Sequence, residues 1–271
     1  CLFEEGYQWQ MGLRGVAGGA VRNCVTHDIG RKFRSFNGVA GAMFFRCKDW
    51  TFEDSEWGFV SIGLGSGDGE AFDFEGNCDN MTMKNCLFHD TDGPGFLLCC
   101  YSSDCHPNKG IVMENCVLNG KAKRPIGLPR CEIVNTTDWT EVTWTKCRFY
   151  LSKGEVLMRV MDPEKDKKSK FVGCLVKKLS TACSTPNLAK NARLTTDQNG
   201  KRLQLDFAKP VTINEFKIKE DASSSVNRYI IEYWDAKGSR WMSCFNGMGI
   251  GAGFVAPIVA RTTSKVRLRV I

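Results

Sequence analysis

Cysteine recurs in this chain at a nearly constant interval, and that interval constrains the fold more than any other feature. Cys86, Cys116 and Cys147 are separated by 30 and 31 residues, and Cys24 precedes Cys86 by 62. Ser55 occupies the midpoint of that longer gap. A repeat of this length indicates stacked structural units, each of which buries its apolar face against its neighbours.

The residues around each cysteine show which kind of unit is repeated. Segments 81–84, 111–114 and 142–145 alternate apolar and polar residues with a period of two, which is typical of short strands. Glycine-rich stretches such as 63–69 provide corners, and no amphipathic stretch has the length that helical repeats need. We therefore predict an all-β fold in which residues 1–183 form a parallel β-helix.

The cysteines of the repeat are expected to stack inside this coil as small apolar thiols. For the cysteines outside the repeat, disulfide bonds stay open as an alternative. These cysteines are Cys99, Cys100, Cys105, Cys131 and Cys183. The spacing of Cys99, Cys105 and His106 matches no common zinc pattern, so no metal site is expected there.

The pattern changes after Cys183, and residues 184–271 are predicted to form a small antiparallel β-sandwich. This part resembles the coagulation factor 5/8 type C, or discoidin-like, module, in versions that are appended to bacterial glycosidases. The resemblance covers about 85 residues and rests on 187–189, 203–207, 209–213, 229–234, Trp241 and 265–270. It implies carbohydrate binding, with capping of the coil as the alternative role, because the early loop region of the family is missing.

The formal charge of +7 lies in this second module. Residues 184–271 hold 14 Lys and Arg against 7 Asp and Glu, whereas the preceding residues hold 23 of each sign. A basic module favours anionic partners such as acidic or sulfated glycans. Basic runs with interleaved aromatics are absent, as are apolar runs of membrane-spanning length, so neither nucleic acid nor a membrane span is expected. We expect a monomer.

The densest acidic segment of the chain is 68–75, which contains Asp68, Glu70, Asp73 and Glu75. If the phenylalanines on either side of Asp73 point into the coil, strand alternation directs Asp73 and Glu75 outwards, with their backbones about 6.6 Å apart. Two neighbouring carboxyls split their pKa values and so provide an acid and a base, as glycoside hydrolysis requires. We predict that these two residues are catalytic and that Glu70 and Asp68 complete the site.

A polar column is predicted beside this segment. His27-Asp28 and His89-Asp90 follow their cysteines by three and four residues, two repeats apart, so they should lie about 10 Å apart on one edge of the coil. Gly58 falls between them and, having no side chain, should leave a gap. We predict that this gap is a groove for an extended ligand. We assign His89 to the catalytic group. The predicted substrate-binding residues are His27, Asp28, Trp57, Asp90, Asp92 and Arg31, with Trp57 stacking on a sugar ring.

The acidic segment, together with 85–86, 89–90 and 92–96, resembles bacterial right-handed parallel β-helix proteins of the pectate-lyase-like superfamily, some of which belong to glycoside hydrolase families such as family 141. The resemblance covers residues 1–183. It implies a polysaccharide-acting protein that is secreted or held at the cell surface, although no signal peptide is present in this chain. The polygalacturonase pattern of paired Asp with Gly-His-Gly is absent.

The leading hypothesis is a glycoside hydrolase that acts on a poly- or oligosaccharide, anionic or neutral, by general acid/base catalysis without a cofactor. Two alternatives stay open. One is a non-catalytic glycan-binding or adhesive β-helix, and the other is a polysaccharide lyase that requires calcium.

Overall fold

A computed structural model shows an all-β chain in the residues it describes. These are 1–6, 8–30, 38–62, 68–99, 106–119, 133–135, 141–151, 157–160, 169–178, 186–220, 226–250 and 254–271, with backbone only at 9, 133–135, 158–160 and 254. The chain divides into two units, Cys1–Leu179 and Ser180–Ile271. The domain boundary predicted after Cys183 lies outside the described residues. No helix in the described part has the length and apolarity to span a membrane.

The described part of the first unit consists of short strands. In chain order they are β1 (Leu2–Glu4), β2 (Trp9–Arg14), β3 (Ala17–Arg22), β4 (Val25–Ile29), β5 (Ala40–Phe45), β6 (Lys48–Glu53), β7 (Glu56–Val60), β8 (Glu70–Phe74), β9 (Asp79–Lys84), β10 (Leu87–Thr91), β11 (Phe96–Leu98), β12 (Ile111–Glu114), β13 (Val117–Asn119), β14 (Ile133–Asn135), β15 (Val142–Thr145), β16 (Arg148–Leu151), β17 (Met158–Val160), β18 (Lys170–Val172) and β19 (Leu175–Lys178).

Every third strand belongs to the same sheet, so the chain visits three sheets in turn. Sheet A has the order β1-β4-β7-β10-β13-β16-β19, sheet B the order β2-β5-β8-β11-β14-β17, and sheet C the order β3-β6-β9-β12-β15-β18. All pairings within these sheets are parallel, for example Phe72 with Phe96 in sheet B. The prediction of a parallel β-helix is confirmed.

The predicted cysteine ladder, formed by Cys24, Cys86, Cys116, Cys147 and Cys174 with Ser55 in the place of a cysteine, lies at the corner between sheets C and A. Its members are free thiols or, at Ser55, a hydroxyl. The Cys116 thiol donates to the carbonyl of Glu114 at 3.4 Å and to that of Met83, one turn earlier, at 3.6 Å. Burial raises the pKa of Cys116 well above its ordinary value. The prediction that these cysteines stack inside the coil is confirmed for Cys86, Cys116 and Cys147, which are fully buried, whereas Cys24 and Cys174 at the two ends are only partly buried.

Aromatic side chains fill the rest of the interior, and they stack along the coil because the strands are in register. Phe72 and Phe96 are paired across sheet B, with ring centroids 5.8 Å apart and planes 22° apart. Trp57 and Phe88 are paired across sheet A, with centroids 5.2 Å apart and planes 9° apart. Such contacts add to the apolar surface that each ring buries.

The corner that precedes each strand of sheet A has left-handed backbone. In successive turns the corner residue and its φ are Asn23 at 52°, Asp54 at 49°, Asn85 at 53°, Asn115 at 50°, Lys146 at 53° and Gly173 at 61°. Asn, Asp and Gly tolerate this conformation better than other residues. The corners are also linked to one another, since the Asn115 side chain donates to that of Asn85 at 2.8 Å.

The second unit begins with a 3₁₀ helix (Leu188–Asn191) and continues as one antiparallel sheet, sheet D. Its strands are β20 (Arg193–Thr196), β21 (Arg202–Ile218), β22 (Arg228–Asp235), β23 (Arg240–Met248) and β24 (Phe254–Val270), in the order β20-β21-β24-β22-β23. Buried Glu232 of β22 accepts hydrogen bonds from Arg267 and Arg269 of β24, and these two arginines lower its pKa against the opposing effect of burial. The antiparallel part of the fold prediction is confirmed at the level of this sheet.

Lys146 is the corner residue least suited to left-handed backbone, and its side chain is exposed. We expect Lys146→Gly to raise the free energy of unfolding by about 0.5–1 kcal/mol, because glycine removes the strain and the backbone hydrogen bond to Val172 is kept. Urea unfolding followed by tryptophan fluorescence measures this change. The control Thr145→Gly, one residue earlier in β15, should lower stability. A loss of stability in both variants would contradict this account of the corner.

Candidate active site

The acidic segment lies on β8, between β5 and β11 of sheet B. Phe72 and Phe74 belong to the aromatic core, so alternation places Asp73 on the outer face of the sheet, in register with Met43 and Leu97. The Glu75 backbone continues the parallel pairing by donating to the carbonyl of Phe44 at 2.8 Å. The strand therefore presents Asp73 and Glu75 next to each other, outside the aromatic interior.

The acidic side chains differ in their access to solvent. Asp73 is 3% exposed and Glu70 is 1% exposed, whereas Asp68 and Glu75 are only partly buried. The predicted exposure of Asp73 is therefore wrong, and Glu70, which the sequence places at the entering corner, is buried as well. Asp73 is flanked by the neighbouring strands, where Leu97 is itself buried, so its outward direction does not bring it to the surface.

The pKa values of all four acidic side chains are raised. Burial is the largest cause for each of them. Glu70 also feels the charges of Asp68 and Glu75, and Asp73 feels those of Glu70 and Glu75. The pKa values of Glu70 and Asp73 lie well above their ordinary values, so these two buried carboxyls retain protons where an exposed carboxyl would be ionised.

Asp73 is the centre of a small hydrogen-bonded group. Its protonated carboxyl donates to Glu75, a bond that raises the pKa of Asp73 and lowers that of Glu75 against the larger effect of burial. The thiol of Cys99, which follows β11, donates to Asp73 Oδ1 at 3.5 Å. One half-exposed carboxylate thus lies directly beside a buried proton donor.

Among the described residues, Asp73, Glu75 and Cys99 are the group that could hold a metal ion, with one ligand atom from each within 4.8 Å of the others. Calcium takes oxygen ligands, and a thiol is not one of them. This donor set therefore does not fit the calcium that the lyase alternative requires.

Asp68 lies at the corner that leads into β8, and glycines make room for it. A Cβ atom at Gly38 would lie 2.0 Å from Asp68 Oδ2, so the carboxyl occupies the space that a side chain there would fill. Gly93 packs closely against the Asp68 backbone, since a Cβ atom at Gly93 would lie 2.6 Å from the carbonyl oxygen of Asp68. The glycine-rich sequence around this corner is thus needed for close backbone packing.

The histidine column has the predicted register, but it forms no groove. Gly58 pairs with His27 on one side and with His89 on the other. A Cβ atom at Gly58 would lie 2.4 Å from two atoms of the His89 ring, so the imidazole fills the predicted gap. His27 is buried as well, with its ring centroid 4.6 Å from that of Phe59. The groove predicted at this position is wrong, because the glycine serves to admit a histidine ring.

His89 is held between two carboxylates, and its side chain is 0% exposed. Its Nε2 lies 2.9 Å from Glu56 Oε1 and its Nδ1 lies 2.7 Å from Asp90 Oδ2. Burial alone would lower the pKa of His89, but the hydrogen bonds to Asp90 and Glu56 outweigh it and raise the pKa to about 9. The ring is therefore a buried imidazolium with both N–H groups engaged, which is not the arrangement of the predicted catalytic histidine.

Other predicted substrate-binding residues are also buried. Trp57 is fully buried in the coil against Phe88, so the expected stacking of its ring on a sugar is wrong. Asp90 is engaged with His89, and Asp92 accepts from the Ser61 hydroxyl at 2.9 Å. Asp28 is partly exposed. Arg31 lies outside the described residues.

Two residues that shape these clusters were missed by the sequence analysis. Cys99 was considered only for disulfide or zinc chemistry, and Glu56 was not considered at all. The signal for both is the register of the strands: Glu56 opens β7 beside the first residue of β10, and the Cys99 backbone donates to the carbonyl of Phe74 on β8. Residues that are distant in sequence meet once that register is known.

Comparison with known proteins gives only remote similarities. Neither the known protein families nor the curated proteins include a match to this chain. Among solved structures, the tailspike protein gp49 of Pseudomonas phage LKA1 is 12% identical with a TM-score of 0.32, covering 99% of this chain and 67% of that one. The enzymatically active domain of bacteriophage CBA120 tailspike protein 2 is 10% identical with a TM-score of 0.29, covering 94% and 49%.

In a further set of similarities, less than half of this chain is covered. A glycoside hydrolase family 29 member from an unknown rumen bacterium is 20% identical with a TM-score of 0.29. The match covers 40% of this chain and 24% of that one, so this chain spans about a quarter of its length.

The imidazolium of His89 predicts a pH-dependent stability. Its pKa is raised in the folded chain, so its contribution is complete below about pH 6.5 and is lost as the pH rises through about 9. We expect His89→Gln to lower the free energy of unfolding at pH 7 by about 3 kcal/mol, because two buried carboxylates lose their cation. The variant should also lack the decline between pH 6.5 and 9.

Urea unfolding at a series of pH values measures both effects. The control is His106→Gln, since the His106 side chain is 44% exposed and lies 3.9 Å from Asp79. Equal pH profiles for the wild type and His89→Gln would show that His89 is not held as an imidazolium.

Proposed function

We propose that the first unit is a glycoside hydrolase that acts on a polysaccharide, with its acid/base chemistry on the outer face of β8. The observation that carries the proposal is the pair formed by buried, proton-holding Asp73 and half-exposed Glu75 on one strand. An accessible carboxyl that can receive a proton from a buried neighbour is able to serve as the general acid in cleavage of a glycosidic bond.

The four carboxyls take two kinds of role in this proposal. Glu75 and Asp68 are partly exposed and touch the substrate. Glu75 is the general acid, which passes a proton to the leaving oxygen, and Asp68 is the carboxylate that acts as base or nucleophile. Asp73 and Glu70 are positioning residues, because they are buried and act on the substrate only through the first pair.

The proposal also covers where the protein acts and what its second unit does. We infer a protein that acts outside the cell on a poly- or oligosaccharide, related to the β-helix glycosidases of family 141. The second unit would be a truncated discoidin-like sandwich that binds glycan. Its antiparallel sheet D and its 14 Lys and Arg against 7 Asp and Glu support an anionic ligand.

The proposal predicts that replacing the Asp73 carboxyl lowers the activity and raises the stability of the chain. Asp73→Asn should lower turnover of a cleavable glycan by about 10²–10⁴-fold, because the proton that Glu75 receives is gone. The folded chain holds a proton that the unfolded chain releases above about pH 3.8, so the wild type loses stability as the pH rises. The variant should therefore be more stable than the wild type at pH 7.

Product analysis on a glycan panel and urea unfolding provide the two measurements. Glu75→Gln should lose turnover to a similar degree, while the control Glu114→Gln, on sheet C, should keep it. Glycan binding without cleavage by the wild type would overturn the hydrolase and favour the non-catalytic alternative. Turnover that is lost on calcium chelation would favour the lyase.

A further inference from the structure

A mixed set of donor atoms converges on the outer face of sheet B. Asp73, Glu75 and Cys99 each place one potential ligand atom within 4.8 Å of the other two. Cys99 Sγ lies 3.5 Å from Asp73 Oδ1, and the thiol is fully buried. Three donors from two neighbouring strands are thus gathered at a distance that one small ion would bridge with modest side-chain movement.

A fourth carboxyl next to this group has an unsatisfied oxygen. Glu70 is 1% exposed, and its Oε2 has no hydrogen-bond partner among the described residues. Among its neighbours, Glu70 has the largest electrostatic effect on the pKa of Asp73, and it also interacts with Glu75. A cation bound between Asp73, Glu75 and Cys99 would reduce the cost of burying these carboxyls close together.

The donor chemistry selects the kind of ion. A thiolate with carboxylates is a donor set for zinc and similar transition-metal ions, whereas calcium and magnesium take oxygen ligands alone. We propose that Asp73, Glu75 and Cys99 form a binding site for a divalent transition-metal ion such as zinc. Three protein ligands and one further position complete a tetrahedral zinc site.

Binding of the ion and storage of the proton are alternative states of this group. Zinc needs the thiolate and the carboxylates, so it displaces the protons from Cys99 and Asp73, and its affinity rises with pH. The inference concerns donor atoms and does not depend on the proposed hydrolysis. Its test therefore measures metal binding, and the failure of one proposal leaves the other standing.

The test uses cobalt as a spectroscopic probe for zinc on the reduced, full-length chain. Cys1→Ser serves as the background, because Cys1 is an exposed thiol beside the terminal amine. Cobalt should produce a thiolate-to-metal charge-transfer band that zinc abolishes and that calcium leaves unchanged. Cys99→Ser should remove the band and weaken binding at least about tenfold, and the buried ladder variant Cys116→Ser should keep both.

Glu75→Gln provides a second variant, whose half-exposed side chain makes misfolding a lesser risk. It should keep the band and weaken cobalt binding at least about tenfold. Circular dichroism confirms that each variant is folded. Unchanged cobalt affinity in folded Glu75→Gln would overturn the site, whatever the fate of Cys99→Ser. An unchanged band in Cys99→Ser, or calcium binding as tight as that of zinc, would overturn it too.

Discussion

Parallel pairing in register is the constraint on which the first unit depends. In the described part of the coil, each strand of sheets A, B and C is hydrogen-bonded to the strands one turn before and one turn after it, so the length of the turn determines which residues are neighbours. Each interior position must then hold a side chain that packs well against a similar side chain one turn away. Thiols at one corner and aromatic rings along the walls meet that requirement, as the stacking of Phe72 on Phe96 illustrates.

The same geometry gathers charge outside the core and then buries it. On sheet B, four carboxyls of one strand and its entering corner lie close together. Burial raises the pKa values of Glu70 and Asp73 and so favours their protonated forms. On sheet A the opposite solution is found, because the His89 ring has room above Gly58 and takes a positive charge between Glu56 and Asp90. The free-energy cost of burying a single ion is offset here by partners from the same strand and from the adjacent turn.

Sequence periodicity was sufficient for the coil, for the ladder at Cys86 and Cys116, and for the pairing of His27 and His89 with Gly58, because each follows from counting residues per turn. It could not reveal access to solvent. Whether Asp73 or Trp57 reaches water depends on packing across neighbouring turns, which alternation within one strand does not encode. The contact between His89 and Glu56, which are 33 residues apart, follows instead from the register of β7 and β10.

The free thiols of the ladder determine how the chain responds to an oxidising environment. Every ladder sulfur of the described turns is already a donor to main-chain oxygens, and the fully buried ones meet no solvent. An oxidant or an alkylating agent attacks the thiolate, the form that this environment suppresses. The buried ladder thiols of the native coil should therefore resist oxidation, whereas the same thiols in a chain that is still folding would be accessible to incorrect cross-linking.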